Sequence, residues 1–155
     1  MTIETLDLHA PGVAEELLRV HLAGYEEEAR LLGADDFPPL RRTIGDLRAA
    51  ASRFLGCFDG GRLAGYVELE DLGEELLIAS LVVDPAAFRR GVGTSLVRRA
   101  IETAWDRPVA VGTGVANAPA LALYAKLGFV ERERRTVAGG IRVVRLVRPA
   151  ASPRP

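Results

Sequence analysis

The spacing of apolar positions changes character twice along this chain, and each change marks a new set of elements. Ile3 to Leu8 alternates well enough for a short strand. From Val13 to Leu32 the spacing turns helical, with Leu18, Leu22, Tyr25, Ala29 and Leu32 on one stripe and Gly33 placed to stop the helix. Asp36 to Leu40 contains a double proline and predicts a turn or extended loop. A shorter helix follows from about Ile44 to Arg53. Thereafter the period falls to two. Phe54 to Phe58 and Leu63 to Leu69 read as strands joined by Asp59-Gly60-Gly61, a hairpin turn because tight turns need positive φ. Glu74 to Val83 continues as a third strand, with Asp71-Leu72-Gly73 as the turn before it.

The second half alternates element types. Gly91 to Ala104 carries a helical stripe of Gly93, Leu96, Val97, Ala100, Ile101 and Ala104. Val109 to Val115 reads as a strand. Asn117 to Leu127 reads as a helix with Asn117 as N-cap, Pro119 in its first turn and Gly128 as its stop. Phe129 to Val137 and Ile141 to Val147 form a closing hairpin through Gly139-Gly140. The order β-α-α-β-β-β-α-β-α-β-β predicts an α+β fold, an α/β sandwich whose central sheet is mixed.

Composition narrows the class. With 155 residues, 48% hydrophobic and 26% charged, the chain suits one globular domain over 1–149, and 150–155 reads as a flexible tail. A net charge of -1 gives no reason to expect nucleic acid as a partner. The lone Cys57 forbids an intramolecular disulfide, and no segment has the length and apolarity of a membrane span. These features suit a cytoplasmic protein, monomer or homodimer, with no call for a metal.

Chemistry enters at Val83 to Thr94. A buried strand ends, a proline turn follows, and Arg90-Gly91-Val92-Gly93-Thr94 opens a helix. Amides at a helix N-terminus lack intrahelical acceptors and sit at the positive end of the dipole, so they favour an anion. Gly91 and Gly93 let a phosphate approach the main chain, and Arg89 and Arg90 add attraction. By itself this is equally a tight strand-to-helix turn. A Rossmann turn fits poorly, because Leu96 stands where its third glycine would fall and the turn follows an antiparallel meander.

The run Asn117-Ala118-Pro119-Ala120-Leu121-Ala122-Leu123-Tyr124-Ala125-Lys126-Leu127-Gly128-Phe129 joins that turn to a known pattern. The pair closely resembles the GCN5-related N-acetyltransferase (GNAT) superfamily, whose cofactor turn reads V-x-P…(Q/R)-x-x-G-x-(G/A) and whose next helix reads N-x-x-A-x-x-x-Y-x-K-x-G-F. The resemblance spans about Ile3 to Arg148 and implies a GNAT-like, mostly antiparallel sheet flanked by helices. It implies acetyl-CoA as acyl donor and direct transfer to a primary amine in a ternary complex. The backbone of Leu81, Val82 and Val83 would pair with the pantetheine arm. The amides of Arg89, Arg90, Gly91, Val92, Gly93 and Thr94 would hold the pyrophosphate. Asn117 would contact the pantetheine, and Tyr124 would stand near the sulfur as general acid. One departure is Phe88, where the pattern has Gln or Arg; this moves the grip from side chains to amides.

Aminolysis of a thioester needs a neutral amine. An alkylammonium with a pKa near 10.4 carries a deficit of roughly 4–5 kcal/mol at pH 7. The strands flanking the cofactor turn contain no carboxylate to meet it. Glu68 and Glu70, two apart on the preceding strand, share a face and are candidate bases, or else plain solvent-facing charge. Ser80 is a poor base, and His21 on the first helix reads better as a hydrogen-bonded, half-buried histidine. Because the carboxylate is missing there and Phe88 departs from the pattern, a non-catalytic acyl-CoA-binding or regulatory module on the same fold is the alternative. The acidic group Glu26, Glu27, Glu28, Asp35 and Asp36 suits a cationic acceptor or a solvated face, and the arginines of the closing hairpin suit an acidic ligand or a solvated edge.

Overall fold

The computed structural model describes residues 1–150; the rest of the expected tail lies outside the described residues. The chain runs β1 (Thr2–Thr5), α1 (Val13–Leu32), a 3-10 turn (Pro38–Arg41), α2 (Ile44–Ala49), β2 (Arg53–Asp59), β3 (Arg62–Asp71) and β4 (Leu76–Val83). After a short 3-10 turn come α3 (Val92–Ala104), β5 (Val109–Gly114), α4 (Ala118–Lys126), β6 (Val130–Thr136) and β7 (Arg142–Arg148). The expected order of elements is therefore the observed one. The strands form a seven-stranded sheet in the order β1-β2-β3-β4-β5-β7-β6. Every adjacent pair is antiparallel except β4 and β5. Among the described residues no helix is long and apolar enough to cross a membrane.

Alternation along the strands sends side chains to two cores. One face, with Val67, Leu69, Ile78, Val111 and Val144, packs on Leu96, Val97 and Ala100 of α3 and on Tyr124 of α4. The other, with Phe54, Tyr66 and Val82, packs on Leu17 and Val20 of α1 and Leu47 of α2. The expected stripe of α1 is off by part of a turn. Ala14, Leu17, Val20, His21 and Ala29 are the buried set, whereas Leu18, Leu22, Tyr25 and Leu32 lie only half-buried along its flank. The cause is the approach of α1 to β4. A Cβ on Gly24 would collide with the Val82 side chain and lie 3.1 Å from the Val83 carbonyl, so the face carrying Gly24 is the one that seats against the sheet.

The second expected helix is too long. It begins at a Thr43–Asp46 capping box but ends at Ala49, because Arg53 already pairs with Leu69 as β2 joins the sheet and the chain must be extended to get there. At its other end, α4 stops as expected. Gly128, at φ 90°, lets the Phe129 amide reach the Tyr124 carbonyl (3.0 Å) and the Gly128 amide reach Ala125 (3.2 Å), closing a Schellman motif.

One irregularity shapes the sheet for function. Glu68 faces Ser80 while the next residue, Leu69, faces Ile78, so Ala79 is an extra residue on β4. Such a bulge bends its strand and increases local twist. Accordingly β4 pairs with β5 only over Leu76–Ile78, while β5 stays paired with β7 through Gly114. Beyond the bulge the two parallel strands splay apart, and the β5-facing edge of β4 is left without a strand partner.

Candidate active site

The open edge of β4 leads directly into the loop before α3. Asp84 caps the intervening turn by accepting from the Ala86 amide at 3.0 Å, and Arg19 holds the other Asp84 oxygen at 2.7 Å. The loop then turns through Arg89 at φ 67°, a left-handed conformation that a non-glycine residue adopts only under strain, and Gly91 at φ 81°. Amides before it are satisfied, with Ala87 bonded to Asp84 and Phe88 to Pro85, and the first satisfied amide after it is Ser95 to Gly91. The six amides from Arg89 to Thr94 have no acceptor among the described residues. Nothing lies within 4 Å of where a Cβ on Gly91 would stand, so the main chain there is open to a ligand. Arg90 reaches Asp59 at 3.0 Å across the surface, and Phe88 is 46% exposed.

A cleft of about 390 Å³ follows the splay between β4 and β5 and continues under the Pro38–Arg41 turn and the tip of the β6–β7 hairpin. Leu81, Ser80, Asn117 and Tyr124 line it. Tyr124 is 3% exposed and packs edge-on against Phe129 at 5.1 Å between ring centres. Its hydroxyl has no hydrogen-bond partner among the described residues, and no fully buried polar atom lacks one, so the hydroxyl opens onto the cleft. Burial pushes its pKa up, which keeps the phenol protonated. Asn117 caps α4 by accepting from the Ala120 amide at 3.2 Å, and its amide donates to Glu28 at 3.2 Å.

Glu28 is the residue that sequence reasoning left in the solvated acidic group. It lines the cleft from α1, and burial raises its pKa against the opposing Asn117 hydrogen bond. A signal was present: Glu28 follows Tyr25 by three residues and precedes Leu32 by four, so it sits in the flank row of the helix that faces the cleft. A larger cavity of about 530 Å³, bordered by Asp35, Asp36 and Arg142, adjoins the cleft through Leu32 and Ile141, but none of the motif residues reaches it.

The two candidate bases are elsewhere. Glu70 is exposed at the end of β3. Glu68 corrects the solvent-facing reading, being only 5% exposed. Its carboxylate takes a two-pronged grip from Arg42 at 2.6 and 2.9 Å and a hydrogen bond from Ser52. Burial pushes its pKa up, but the bonds from Arg42, Ser52 and Ser80 outweigh that and leave it lowered. Neither carboxylate lines the cleft. His21 belongs to the same buried layer, bonded to the Tyr66 hydroxyl at 2.6 Å and the Pro39 carbonyl at 2.7 Å. The carbonyl can only accept, so Nε2 carries the proton and Nδ1 accepts from Tyr66. His21 is thus fully buried rather than half-buried, and burial lowers its pKa.

This arrangement has known counterparts. A family model described as the acetyltransferase (GNAT) family matches residues 14–129. The chain belongs to the GNAT family. As a GNAT protein it is 34% identical to the UPF0157 protein YqkA of Bacillus subtilis over 140 residues, covering 90% of this chain and 41% of that protein; the chain thus spans less than half of that relative. It is 33% identical to the N-alpha-acetyltransferase RimI of Mycobacterium tuberculosis over 108 residues, 67% of this chain and 68% of that one. The solved structure of the PaiA N-acetyltransferase from Thermoplasma acidophilum in complex with coenzyme A superposes with a TM-score of 0.71 at 17% identity, covering 94% of this chain and 98% of that one. That likeness shows a shared GNAT fold. Within it, the structure brings Leu81, Asn117 and Tyr124 to one cleft and sets the open amides of Arg89 to Thr94 at the end of the same β4 edge. Val82 and Val83 turn their side chains into the packed cores and offer only backbone to that edge.

Proposed function

We propose that the chain is an acetyl-CoA-dependent N-acetyltransferase that passes the acetyl group directly to a primary amine. The observation that carries this reading is the continuity of an unpaired β4 edge with six acceptor-less amides, beside a cleft holding Tyr124, Asn117 and Glu28. The residues fit the donor. The open space at Gly91 accommodates a pyrophosphate, the β4 edge at Leu81 to Val83 accommodates the amide-bearing arm as an added strand, and the cleft accommodates the thioester. PaiA in complex with coenzyme A and RimI as an N-alpha-acetyltransferase support the same direction.

When bound, the thioester supplies an activated acetyl carbon. The chain's own residues then handle two protons. Glu28 takes one from the incoming ammonium, because a carboxylate whose pKa is raised by burial is a stronger base than an exposed one. Glu68 is poorly suited to that task, since protonating it would sacrifice its pair with Arg42. Tyr124, kept protonated by burial, donates to the leaving sulfur. Asn117, already spending one amide hydrogen on Glu28, acts chiefly to hold that carboxylate in place. Glu28 answers one of the two motives for a binding-only module, the lack of a carboxylate; the other, Phe88, bears on cofactor grip and not on the base.

Replacing Glu28 with Gln is expected to lower kcat about 100-fold and to remove the acidic limb of the pH–rate profile, with acetyl-CoA affinity unchanged by calorimetry. Full kcat in this variant would refute the base assignment. Absence of acetyl-CoA binding at millimolar concentration would refute the function itself.

A further inference from the structure

The charges lining the cleft specify more than an amine. Of all the side chains around it, two are ionisable at neutral pH with opposite sign: Glu28 from α1 and Arg135 from β6. Neither takes part in an ion pair among the described residues, with each other or with anything else. Glu28 has only the neutral Asn117 amide. Two neighbouring arginines of the same hairpin are by contrast already taken, Arg134 by Glu131 and Arg145 by Glu75. The cleft that holds both charges also has an apolar lining that includes Phe37, Leu81, Val137 and Ile141.

Resting on the acetyltransferase reading, we propose that the acceptor is a small amino-carboxylate with an apolar skeleton, its ammonium directed to Glu28 and its carboxylate to Arg135. The charge count favours this over the other amines. A diamine or polyamine would bring a second positive charge into a cleft whose second charged group is itself a guanidinium. Of the carboxylates next to the cleft, Glu68 behind Ser80 is held by Arg42, and Asp36 in the adjoining cavity is shared with Arg41 at 3.5 Å. A neutral monoamine would leave Arg135 without a partner. An amino-carboxylate satisfies both charges, and a guanidinium grips a carboxylate with two parallel hydrogen bonds. The transfer balances: the amine nitrogen forms the bond to the acetyl carbon and the carbon–sulfur bond breaks. Of the two protons the ammonium loses, one leaves through Glu28, and the second, released as the amide forms, restores the phenol of Tyr124 after it has protonated the sulfur.

The test uses the full chain with leucine, leucinamide and spermidine as acceptors, rates being referred to the concentration of neutral amine, together with calorimetric binding of acetyl-CoA. The expected result is a kcat/KM for leucine at least 10-fold above that for leucinamide, and poorer still for spermidine. In Arg135→Gln the leucine-to-leucinamide ratio should fall at least fivefold, through the KM for leucine, with partial rescue in Arg135→Lys. Arg135 is exposed and unpaired, so these variants are expected to fold, which thermal melts check. Leucinamide or spermidine equal to leucine, a ratio unmoved by Arg135→Gln, or no acetylation of leucine while acetyl-CoA binds, would each overturn the substrate assignment and leave the acetyltransferase reading standing. Loss of acetyl-CoA binding as well would mean that the underlying reading had failed.

Discussion

The loop before α3 and the cluster around Glu68 flank the same half of β4, yet they are built on opposite plans. The loop is exposed main chain, with six amides that lack acceptors. The cluster is buried side chains in which Glu68, Arg42, Ser52, His21, Tyr66 and the Pro39 carbonyl satisfy one another. Arg42 also lies over the Phe54 ring at 5.7 Å, a cation–π contact. The first region is left with unsatisfied donors, which the proposed cofactor would complete; the second is complete by itself. Ligand affinity should therefore reside in backbone conformation at the loop, and folding stability in side-chain identity at the cluster.

Four experiments would break or sharpen that contrast. Glu68→Ala should have the largest effect. It strands the half-buried Arg42 guanidinium, and losing one partner of such a pair costs about 3 kcal/mol, read as a lower urea midpoint; near-wild-type stability would mean the cluster contributes little. Next comes Gly91→Val, which forces a β-branched residue into the left-handed region at about 1–2 kcal/mol and crowds the amides. The KM for acetyl-CoA should rise by about tenfold with kcat largely retained, and an unmoved KM would dissociate the amides from cofactor grip.

Third is acidification. His21 has its pKa lowered chiefly by burial, with the Pro39 bond and Glu68 opposing and Arg42 reinforcing. The unfolded chain takes up a proton near pH 6.5 that the folded chain refuses, so His21's contribution is complete above that pH and declines below it. The loss is at most about 1.4 kcal/mol per pH unit. A urea midpoint that falls between pH 7 and 5.5, and falls less in a His21→Gln variant, is the expected signature. Glu28 carries the opposite sign, because its raised pKa penalises the folded state as pH rises; Glu28→Gln should melt slightly higher at pH 7 even as it loses activity. Smallest of all is Phe88→Gln. It restores the side chain that the GNAT pattern has there, but an exposed substitution away from packed groups is worth within about 0.5 kcal/mol, about a twofold change in acetyl-CoA KM.

Local signals made much of this legible. Gly33 and Gly128 end their helices as read, Asn117 caps α4, and the Gly91 turn opens α3, because each depends on a few adjacent residues and their backbone angles. What failed were readings in which a distant element decided the outcome. Alternation placed Glu68 and Glu70 on one face correctly, yet only Glu68 is covered, since Arg42 arrives from the turn after α1, 26 residues earlier in the chain. The α1 stripe was misplaced because Gly24, which adds no apolar side chain to the pattern, is where the helix meets β4.

The sequence by itself determined the proposed donor half of the site: a glycine turn and an N…Y…K-x-G-F helix specify backbone conformation, and backbone conformation is what the proposed pyrophosphate grip relies on. Only the tertiary structure decided the proposed acceptor half. Glu28 and Asn117 are 89 residues apart and touch, and Arg135 joins their cleft from a third element. A base is defined by what surrounds it, and its surroundings come from chain segments whose meeting no local pattern encodes.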